Sequence, residues 1–350
     1  MVVSQRFLEG HPFLLVDGSN LLMRLLFVRQ KGSNLLTEPE LISSVSEGFV
    51  RYVSDTIKKN CCSGVLVAFD LGGSLRKKSL YKEYKANREM AACSSVPNDS
   101  KEYMNELYPK LRNKVVELCR MYNLNVFYEF GIEADDILGL LAERLNEVGR
   151  DCVILSNDSD FLQLCSFPKV SCIIPYKKVV VDMHTFPTYF NECSKSKGVK
   201  IHACEYIFYK ALVGDTSDNI VGINRVGYKT LHKKKEEYFT AFPTMSDLFA
   251  TDQIDFIKLA ATEPNGHPFE TLIKDNLTMI LLNYKLIDLT SKYASATLIN
   301  ESYKILNKQP MPKPTKMALI QGHNAMFGIA PSLANLTEAV NGLAPIYLQP

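Results

Sequence analysis

Short apolar runs, many of them β-branched, alternate with longer amphipathic stretches through the first half of this 350-residue chain. The runs read FLLV (13–16), VLVAF (65–69), NVFY (125–128), CVIL (152–155) and SCII (171–174). Helical spacing fills the intervening stretches at 40–59, 102–123 and 135–148. Buried strands that alternate with helices indicate βαβ units. The pattern therefore predicts an α/β fold with a central, mostly parallel, twisted sheet flanked by helices.

Acidic residues follow four of these runs. They are Asp17 after the first, Asp70 after the second, Glu133, Asp135 and Asp136 after the third, and Asp158 and Asp160 after the fourth. The carboxyl ends of parallel strands meet at one edge of a sheet, and ligand sites form there. Taken singly, Asp17 or Asp136 is explained as a helix N-cap. Taken together, the acids predict a shared site.

Such a cluster needs compensation for its charge. Two carboxylates ~4 Å apart repel by roughly 4 kcal/mol at an effective dielectric constant near 20. No matching set of lysines or arginines follows these strands. From the residues alone two explanations stay open: protonation, or a bound hard cation, for which an oxygen-rich site suits Mg²⁺ or Mn²⁺.

Composition places the chain among ordinary globular proteins, with 46% hydrophobic and 22% charged residues and a formal net charge of +2. The nine cysteines are an odd number without CxxC pairs, which predicts reduced thiols in a cytoplasm. Asp17 and Arg24 interrupt the first apolar stretch. We therefore expect neither a signal peptide nor a membrane span.

After about residue 190 the spacing becomes mostly helical, and residues 271–290 read as one strongly apolar helix. The segment GDTSDNIVGINRVGYKT (214–230) adds two acids, Asp215 and Asp218. It resembles a nucleotide-binding P-loop only superficially, because Tyr228 stands where that motif requires lysine and no buried strand precedes it.

A helix-hairpin-helix element explains the glycine segment better. Gly222 and Gly227 permit a tight turn and expose backbone N–H groups at a helix N-terminus, which binds a DNA phosphate. Lys229 and Thr230 join this contact, and the lysines at 233–235 extend it along the strand. A solvated helix face remains the alternative for those three lysines.

A second basic stretch, RKKSLYKEYKANR (76–88), interleaves lysines and arginines with two tyrosines. Basic side chains neutralise phosphates, and aromatic faces stack on bases. The segment that follows has small and polar residues and a weak core pattern, so it predicts a mobile arch over the site, with an ordinary surface loop as the alternative.

Six motifs in this chain occur in the order and spacing of one known family. They are LLVDGSNLL (14–22), VAFD (67–70), EYKANR (83–88), GIEADD (131–136), SNDSDFLQL (156–164) and GDTSDNIVGINRVGYKT (214–230). Together they resemble the 5'-nuclease family of flap endonucleases, polymerase I 5'-3' exonuclease domains and phage 5'-exonucleases. The resemblance spans about residues 12–290 and is strongest to a stand-alone phage-type 5'-3' exonuclease of the phage RNase H type.

The resemblance implies two Mg²⁺ ions, for which Mn²⁺ substitutes, and a K⁺ ion at the glycine element. The residues implied around the first metal are Asp17, Asp70, Glu133 and Asp135. Those around the second are Asp136, Asp158, Asp160, Asp215 and Asp218. The catalytic residues are expected to be Asp135, Asp158, Lys85 and Arg88. The DNA-binding residues are expected to be Tyr84, Lys85, Arg88, Gly222, Gly227, Lys229 and Thr230.

On the same basis we expect a 5'-3' exonuclease and flap endonuclease that acts in primer removal or repair. Its substrates would be DNA with a 5' flap, nick or free 5' end, or an RNA–DNA hybrid. We expect a monomer in a bacterial or phage-infected cytoplasm that meets replication proteins such as a single-strand binding protein or sliding clamp. The alternatives are a non-catalytic DNA-junction binding protein and a single-strand ribonuclease of the PIN-like class.

The expected domains follow the chain linearly. Residues 1–190 form an α/β nuclease domain of PIN-like 5'-nuclease fold, with the arch at about 76–115. Residues 191–308 form a helical subdomain with a helix-three-turn-helix motif. Residues 309–350 form a linker and a C-terminal tail.

Overall fold

The computed structural model describes residues 11–32, 36–87, 98–193, 196–262, 264–308, 312–328 and 331–347. The strands in these ranges are β1 (Phe13–Asp17), β2 (Gly64–Ala68), β3 (Asn125–Phe127), β4 (Cys152–Leu155), β5 (Val170–Ile174) and β6 (Val179–Val181). The helices are α1 (Gly18–Gly32), α2 (Glu38–Asn60), α3 (Leu75–Leu80), α4 (Asn98–Met121), α5 (Ala134–Glu147), α6 (Phe186–Glu192), α7 (Tyr206–Val213), α8 (Tyr228–Ala241), α9 (Pro243–Thr251), α10 (Gln253–Thr262), α11 (Pro268–Asp275), α12 (Leu277–Ile287), α13 (Ala296–Leu306), α14 (Lys316–Phe327) and α15 (Leu333–Gly342). Within the described ranges, no helix is both long enough and apolar enough to cross a membrane.

One sheet contains all six of these strands, in the order β3-β2-β1-β4-β5-β6. The pairs β1–β2, β1–β4, β2–β3 and β4–β5 are parallel, with Leu15 opposite Leu66 on one side and Ile154 on the other. Every residue of β1, β2 and β4 is buried. This confirms the expected fold class, and it explains why these strands read as continuous apolar runs.

The chain forms two compact units that do not follow linear boundaries. The first comprises residues 1–74, 96–180 and 289–350, and the second comprises residues 75–95 and 181–288. The sheet belongs to the first unit. A hydrophobic core of this unit joins β1 to α2 and α4 through side chains such as Leu14, Phe49 and Leu111.

The C-terminal helices α14 and α15 belong to this first core. Leu319 and Leu336 are buried in it, and the Tyr347 hydroxyl donates to the carbonyl of Tyr122 over 2.7 Å. Thr315 and Ser332 cap the two helices through their side chains. The segment expected as a linker and tail therefore contains capped helices, each with a short apolar face.

The second unit is helical and is held together by aromatic side chains. The ring centroid of Phe208 lies 4.9 Å from that of Phe249, and the centroid of Tyr238 lies 5.3 Å from that of Phe269. The stretch expected as one helix at 271–290 is two helices, because the backbone leaves helical geometry at Asn276, with φ −119° and ψ 13°. That expectation was wrong in detail.

Two glycines within helices of the first unit give opposite predictions. A Cβ at Gly139 in α5 would lie 2.4 Å from the carbonyl oxygen of Leu289, whereas a Cβ at Gly48 in α2 would meet nothing within 4 Å. We expect Gly139→Ala to lower the free energy of unfolding by ~1–3 kcal/mol. Gly48→Ala should raise it by ~0.5–1 kcal/mol, because alanine favours a helix. Urea denaturation of both variants measures the difference, and equal effects would contradict the packing described for α5.

Candidate metal centre

Asp17 is the last residue of β1, and it is 7% exposed. Its Oδ1 accepts a hydrogen bond from the backbone N–H of Asn20 over 3.0 Å, so it caps α1 as the N-cap reading expected. Its Oδ2 accepts a hydrogen bond from the Ser156 hydroxyl over 2.8 Å, just beyond β4. The same carboxylate therefore caps a helix and binds the end of a neighbouring strand.

Asp70 follows β2 and is held through both its main chain and its side chain. Its N–H donates to the Ser19 hydroxyl over 2.9 Å. Its Oδ1 accepts a hydrogen bond from the N–H of Ala134, the first residue of α5, over 2.8 Å. Asp70 thus connects the end of β2 to the N-terminal end of α5.

Glu133, Asp135 and Asp136 lie at the start of α5, where Glu133 is the N-cap residue. A carboxylate oxygen from each lies within 4.8 Å of the other two, and Glu133 and Asp136 are buried. The positive end of the helix dipole stabilises negative charge there by ~0.3–1 kcal/mol each at an exposed site. That gain is smaller than the repulsion of roughly 4 kcal/mol between carboxylates ~4 Å apart.

Asp158 and Asp160 follow β4 at the start of a 3₁₀ helix, Ser159–Ser166. Asp158 Oδ1 accepts a hydrogen bond from the Asp160 N–H, and the Asp158 N–H donates to the Ser156 hydroxyl, both over 3.0 Å. The Ser156 hydroxyl therefore bonds to both Asp17 and the backbone of Asp158. Asp158 is exposed and Asp160 is buried.

The neighbouring carboxylates affect the pKa of Asp17. Burial raises the pKa of Asp17 to about 7, and repulsion from Asp70 and Asp158 adds to the effect, although the hydrogen bonds from Asn20 and Ser156 oppose it. A carboxyl group in this position ionises at a higher pH than an ordinary aspartate, and nearby positive charge would favour its ionised form. The donors are all carboxylate oxygens, which suit a hard divalent cation. The residues of the first unit therefore fit a metal of that class.

Asp215 and Asp218 belong to the second unit, in the loop between α7 and α8. Burial tends to raise the pKa of Asp215, but the Lys210 ammonium 2.6 Å away and hydrogen bonds from Ser217 outweigh it and lower the pKa to about 2. Unlike Asp17, Asp215 already has a cation beside it. The metal role expected for it stays a prediction.

Asp218 contacts two residues that the sequence also selected. The Tyr84 hydroxyl donates to Asp218 Oδ2 over 3.1 Å, and the Lys85 Nζ lies 3.8 Å from the same oxygen. The Lys85 N–H also donates to the Asp218 carbonyl over 2.9 Å. No sequence pattern indicates that Tyr84 and Lys85 contact Asp218, so the sequence does not predict this cluster. Arg88 lies outside the described residues.

The glycine segment forms the expected turn before a helix. Gly222 must be small, because a Cβ there would lie 2.0 Å from the carbonyl oxygen of Val213, and Gly227 is the N-cap of α8. Lys229 and Thr230 are exposed in the first turn of α8.

Of the three lysines at 233–235, Lys235 does not lie on the protein surface. Lys233 is exposed, but Lys235 is buried and forms an ion pair with Glu205. The expectation that Lys235 contacts DNA is wrong, because its charge is already used inside the second unit.

This chain is similar to a protein family, to individual known proteins and to solved structures. The family described as 5'-3' exonuclease, N-terminal resolvase-like domain, matches residues 12–206. DNA polymerase I of Caldicellulosiruptor bescii is 32% identical over 286 residues, which are 80% of this chain and 30% of that protein. A 5'-3' exonuclease of Buchnera aphidicola subsp. Schizaphis graminum is 30% identical over 225 residues, 64% of this chain and 69% of that protein. The chain thus spans less than a third of the polymerase and about two thirds of the exonuclease.

Solved structures confirm the fold. A bacteriophage T5 D15 flap endonuclease in a complex with DNA and metal ions superposes with a TM-score of 0.65 and 19% identity, and the match covers 85% of this chain and all of that one. T5 5'-exonuclease with bound zinc gives a TM-score of 0.61 and 20% identity, and the match covers 92% of this chain and all of that one.

The raised pKa of Asp17 predicts how the metal-free protein responds to pH. An unfolded aspartate ionises near its ordinary pKa of 3.8, whereas the folded one resists ionisation until about pH 7, so wild type loses stability from this group as the pH rises between these values. Asp17→Asn removes that loss. In EDTA, its gain in free energy of unfolding should grow from about pH 4 and level off above about pH 7, at a few kcal/mol.

Urea denaturation across this pH range measures the effect. Added Mg²⁺ should stabilise wild type more than Asp17→Asn, since an ion that binds only the folded state raises its stability and the variant lacks one charged ligand. A constant difference between the two proteins at every pH would contradict the electrostatic origin.

Proposed function

The chain belongs to the 5'-3' exonuclease family, and we propose that it is a divalent-metal-dependent 5'-3' exonuclease and flap endonuclease that hydrolyses DNA phosphodiesters to 5'-phosphate products. The observation that supports the proposal best is the group of acids from four chain segments at the carboxyl edge of the sheet. Burial and the neighbouring carboxylates raise the pKa of one of them, Asp17, to about 7. A site that needs positive charge and offers only oxygen donors is suited to the cations of phosphodiester hydrolysis.

In this proposal the residues of the first unit hold the metal. Asp17, Asp70, Glu133 and Asp135 would bind one Mg²⁺ ion, and Asp136, Asp158 and Asp160 would bind a second, with Mn²⁺ as a substitute. Bound ions would supply an activated water and neutralise charge on the leaving oxygen. From the family resemblance we also propose that Asp215 and Asp218 act around the second ion.

The chain's own residues would position the substrate and its charge. Lys85, which lies 5.0 Å from the Tyr84 ring centroid, and Arg88 would bind the scissile phosphate and stabilise its transition-state charge. The N-terminus of α8, from Gly227 to Thr230, would bind the duplex backbone, with Gly222 shaping the turn and K⁺ as a further ligand of this element. These contacts carry no sequence information, so the enzyme would recognise structure and not base sequence.

The biological setting follows from the same proposal. Substrates would be DNA with a 5' flap, nick or free 5' end, or RNA paired with DNA. The protein would act as a monomer in a bacterial or phage-infected cytoplasm, with replication proteins such as a single-strand binding protein or sliding clamp nearby. We propose a functional division into three parts. Residues 1–190 would form the nuclease domain, with an arch at about 76–115. Residues 191–308 would form a DNA-binding subdomain, and residues 309–350 a C-terminal segment.

Replacing both acids after β4 tests the chemistry. Asp158→Asn with Asp160→Asn should reduce cleavage of a labelled 5'-flap substrate and of a free 5' end by at least about 100-fold in Mg²⁺, because the variant loses two charged oxygen ligands. Binding of the same junction, measured by fluorescence anisotropy, should persist.

Asp151→Asn is the matched control, because Asp151 precedes the same strand and lies beside Lys169 at its other end. Full cleavage by the double variant would refute the assignment. Wild type that binds the junction without cutting it would be a structural DNA-binding protein, and wild type that cuts free single-stranded RNA would be a ribonuclease.

Lys229→Ala tests the backbone contact. The variant should bind all duplex substrates more weakly and alike, and the slope of log affinity against log salt should fall by about 1, because one phosphate contact is lost. Lys258→Ala is the control, since Lys258 is exposed on α10 and lies 3.4 Å from Asp255. A change in base preference would count against a backbone role.

A further inference from the structure

Arg112 in α4 occupies an unusual environment for a charged residue. Its guanidinium carbon lies 5.8 Å from the ring centroid of Tyr108 and 5.2 Å from that of Tyr128. No described carboxylate pairs with it, and its Nε is buried without a hydrogen-bond partner. Partly buried charges are normally paired, because desolvation is costly. Arg112 instead makes a polar contact with the main chain of Asp70.

That contact is a hydrogen bond from Arg112 Nη1 to the main-chain carbonyl oxygen of Asp70, over 3.1 Å. The two tyrosines near the guanidinium also contact neighbours of Asp70. Tyr108 hydrogen-bonds with the side chain of Ser19, whose hydroxyl accepts the Asp70 N–H. Tyr128 packs edge-on against Phe69, the residue before Asp70, with ring centroids 6.3 Å apart.

Asp70 is consequently fixed at three atoms. Its N–H donates to Ser19, its carbonyl accepts from Arg112, and its Oδ1 accepts from the Ala134 N–H. Among the described residues none donates to its other carboxylate oxygen, Oδ2. With the main chain and one oxygen fixed, the remaining oxygen has few orientations left, which favours a preformed ligand.

We propose that Arg112 is a positioning residue for the cation site: it holds the main chain of Asp70 so that Oδ2 is oriented for metal binding. The proposal rests on the function proposed above and adds a residue that lies outside the six motifs quoted from this sequence. A lysine would replace it poorly, because a compact ammonium lacks the flat face that packs near aromatic rings and the fixed set of N–H donors of a guanidinium. Residues that orient metal ligands typically change metal affinity or activity 10- to 100-fold when they are removed.

The test compares Arg112→Ala and Arg112→Lys with wild type. The control is Arg120→Ala, an exposed arginine later on the same helix. Mn²⁺ affinity is measured without DNA by titration calorimetry, thermal unfolding is measured in EDTA, and 5'-flap cleavage is followed as Mn²⁺ is varied.

We expect Arg112→Ala to weaken Mn²⁺ binding about 10-fold or more and to raise the Mn²⁺ concentration for half-maximal cleavage by a similar factor. The rate at saturating Mn²⁺ should change less, Arg112→Lys should recover only part of the affinity, and Arg120→Ala should match wild type. Tyr108→Phe removes only the hydroxyl that bonds to Ser19, and it should weaken Mn²⁺ binding in the same direction even if Arg112→Ala fails to fold.

Unchanged Mn²⁺ affinity in folded Arg112→Ala, with only a lower melting temperature, would overturn the proposal, because a purely structural role predicts that result. If Arg112→Ala does not fold, unchanged Mn²⁺ affinity in Tyr108→Phe would overturn it. Wild type that binds Mn²⁺ but cuts no DNA would refute the proposed nuclease function, while the Mn²⁺ affinities would still decide the role of Arg112.

Discussion

Repulsion among carboxylates at the carboxyl edge of the sheet is the constraint on which the rest of the first unit depends. Asp17 ends β1, Asp70 follows the adjacent strand β2, and Asp158 follows β4, which pairs with β1 on its other side. Backbone N–H groups of Asn20 and Ala134 bind two of these carboxylates. Such neutral donors orient charge without cancelling it, so the fold keeps its acids close together without removing their repulsion.

The second unit treats its acids differently. Asp215 has the Lys210 ammonium at 2.6 Å, and Asp218 has both a tyrosine hydroxyl and the Lys85 ammonium beside it. Each of these acids is compensated within its own unit, and the pKa of Asp215 is lowered where that of Asp17 is raised. The pKa values of these two aspartates are thus shifted in opposite directions, because Lys210 lies beside Asp215 whereas burial and other carboxylates act on Asp17.

The sequence predicts the sheet and the acids well because both leave local signals. Strands buried on both faces, such as β1, are unbroken apolar runs, and an acid at the end of each strand is read from its position alone. Helix α1 is less evident, because it begins at Gly18 directly after β1, with no loop to separate the two.

Other features depend on contacts between distant residues. Tyr84 meets Asp218 across 134 positions of sequence, and Lys235 is buried because Glu205 lies opposite it. The C-terminal helices are short, and only the core that accepts Leu319 shows their apolar faces to be structural. No local pattern contains this information, since it arises from tertiary packing.

The position of Asp17, enclosed between the ends of two strands and the start of a helix, has a further consequence. Because its pKa is raised to about 7, this carboxyl group holds its proton to a higher pH than an ordinary aspartate does. If Asp17 binds a divalent ion as proposed above, the ion would displace that proton, and metal uptake would be coupled to proton release. The heat of metal binding should then depend on the ionisation enthalpy of the buffer, and the protein should compete for metal less effectively as its surroundings acidify.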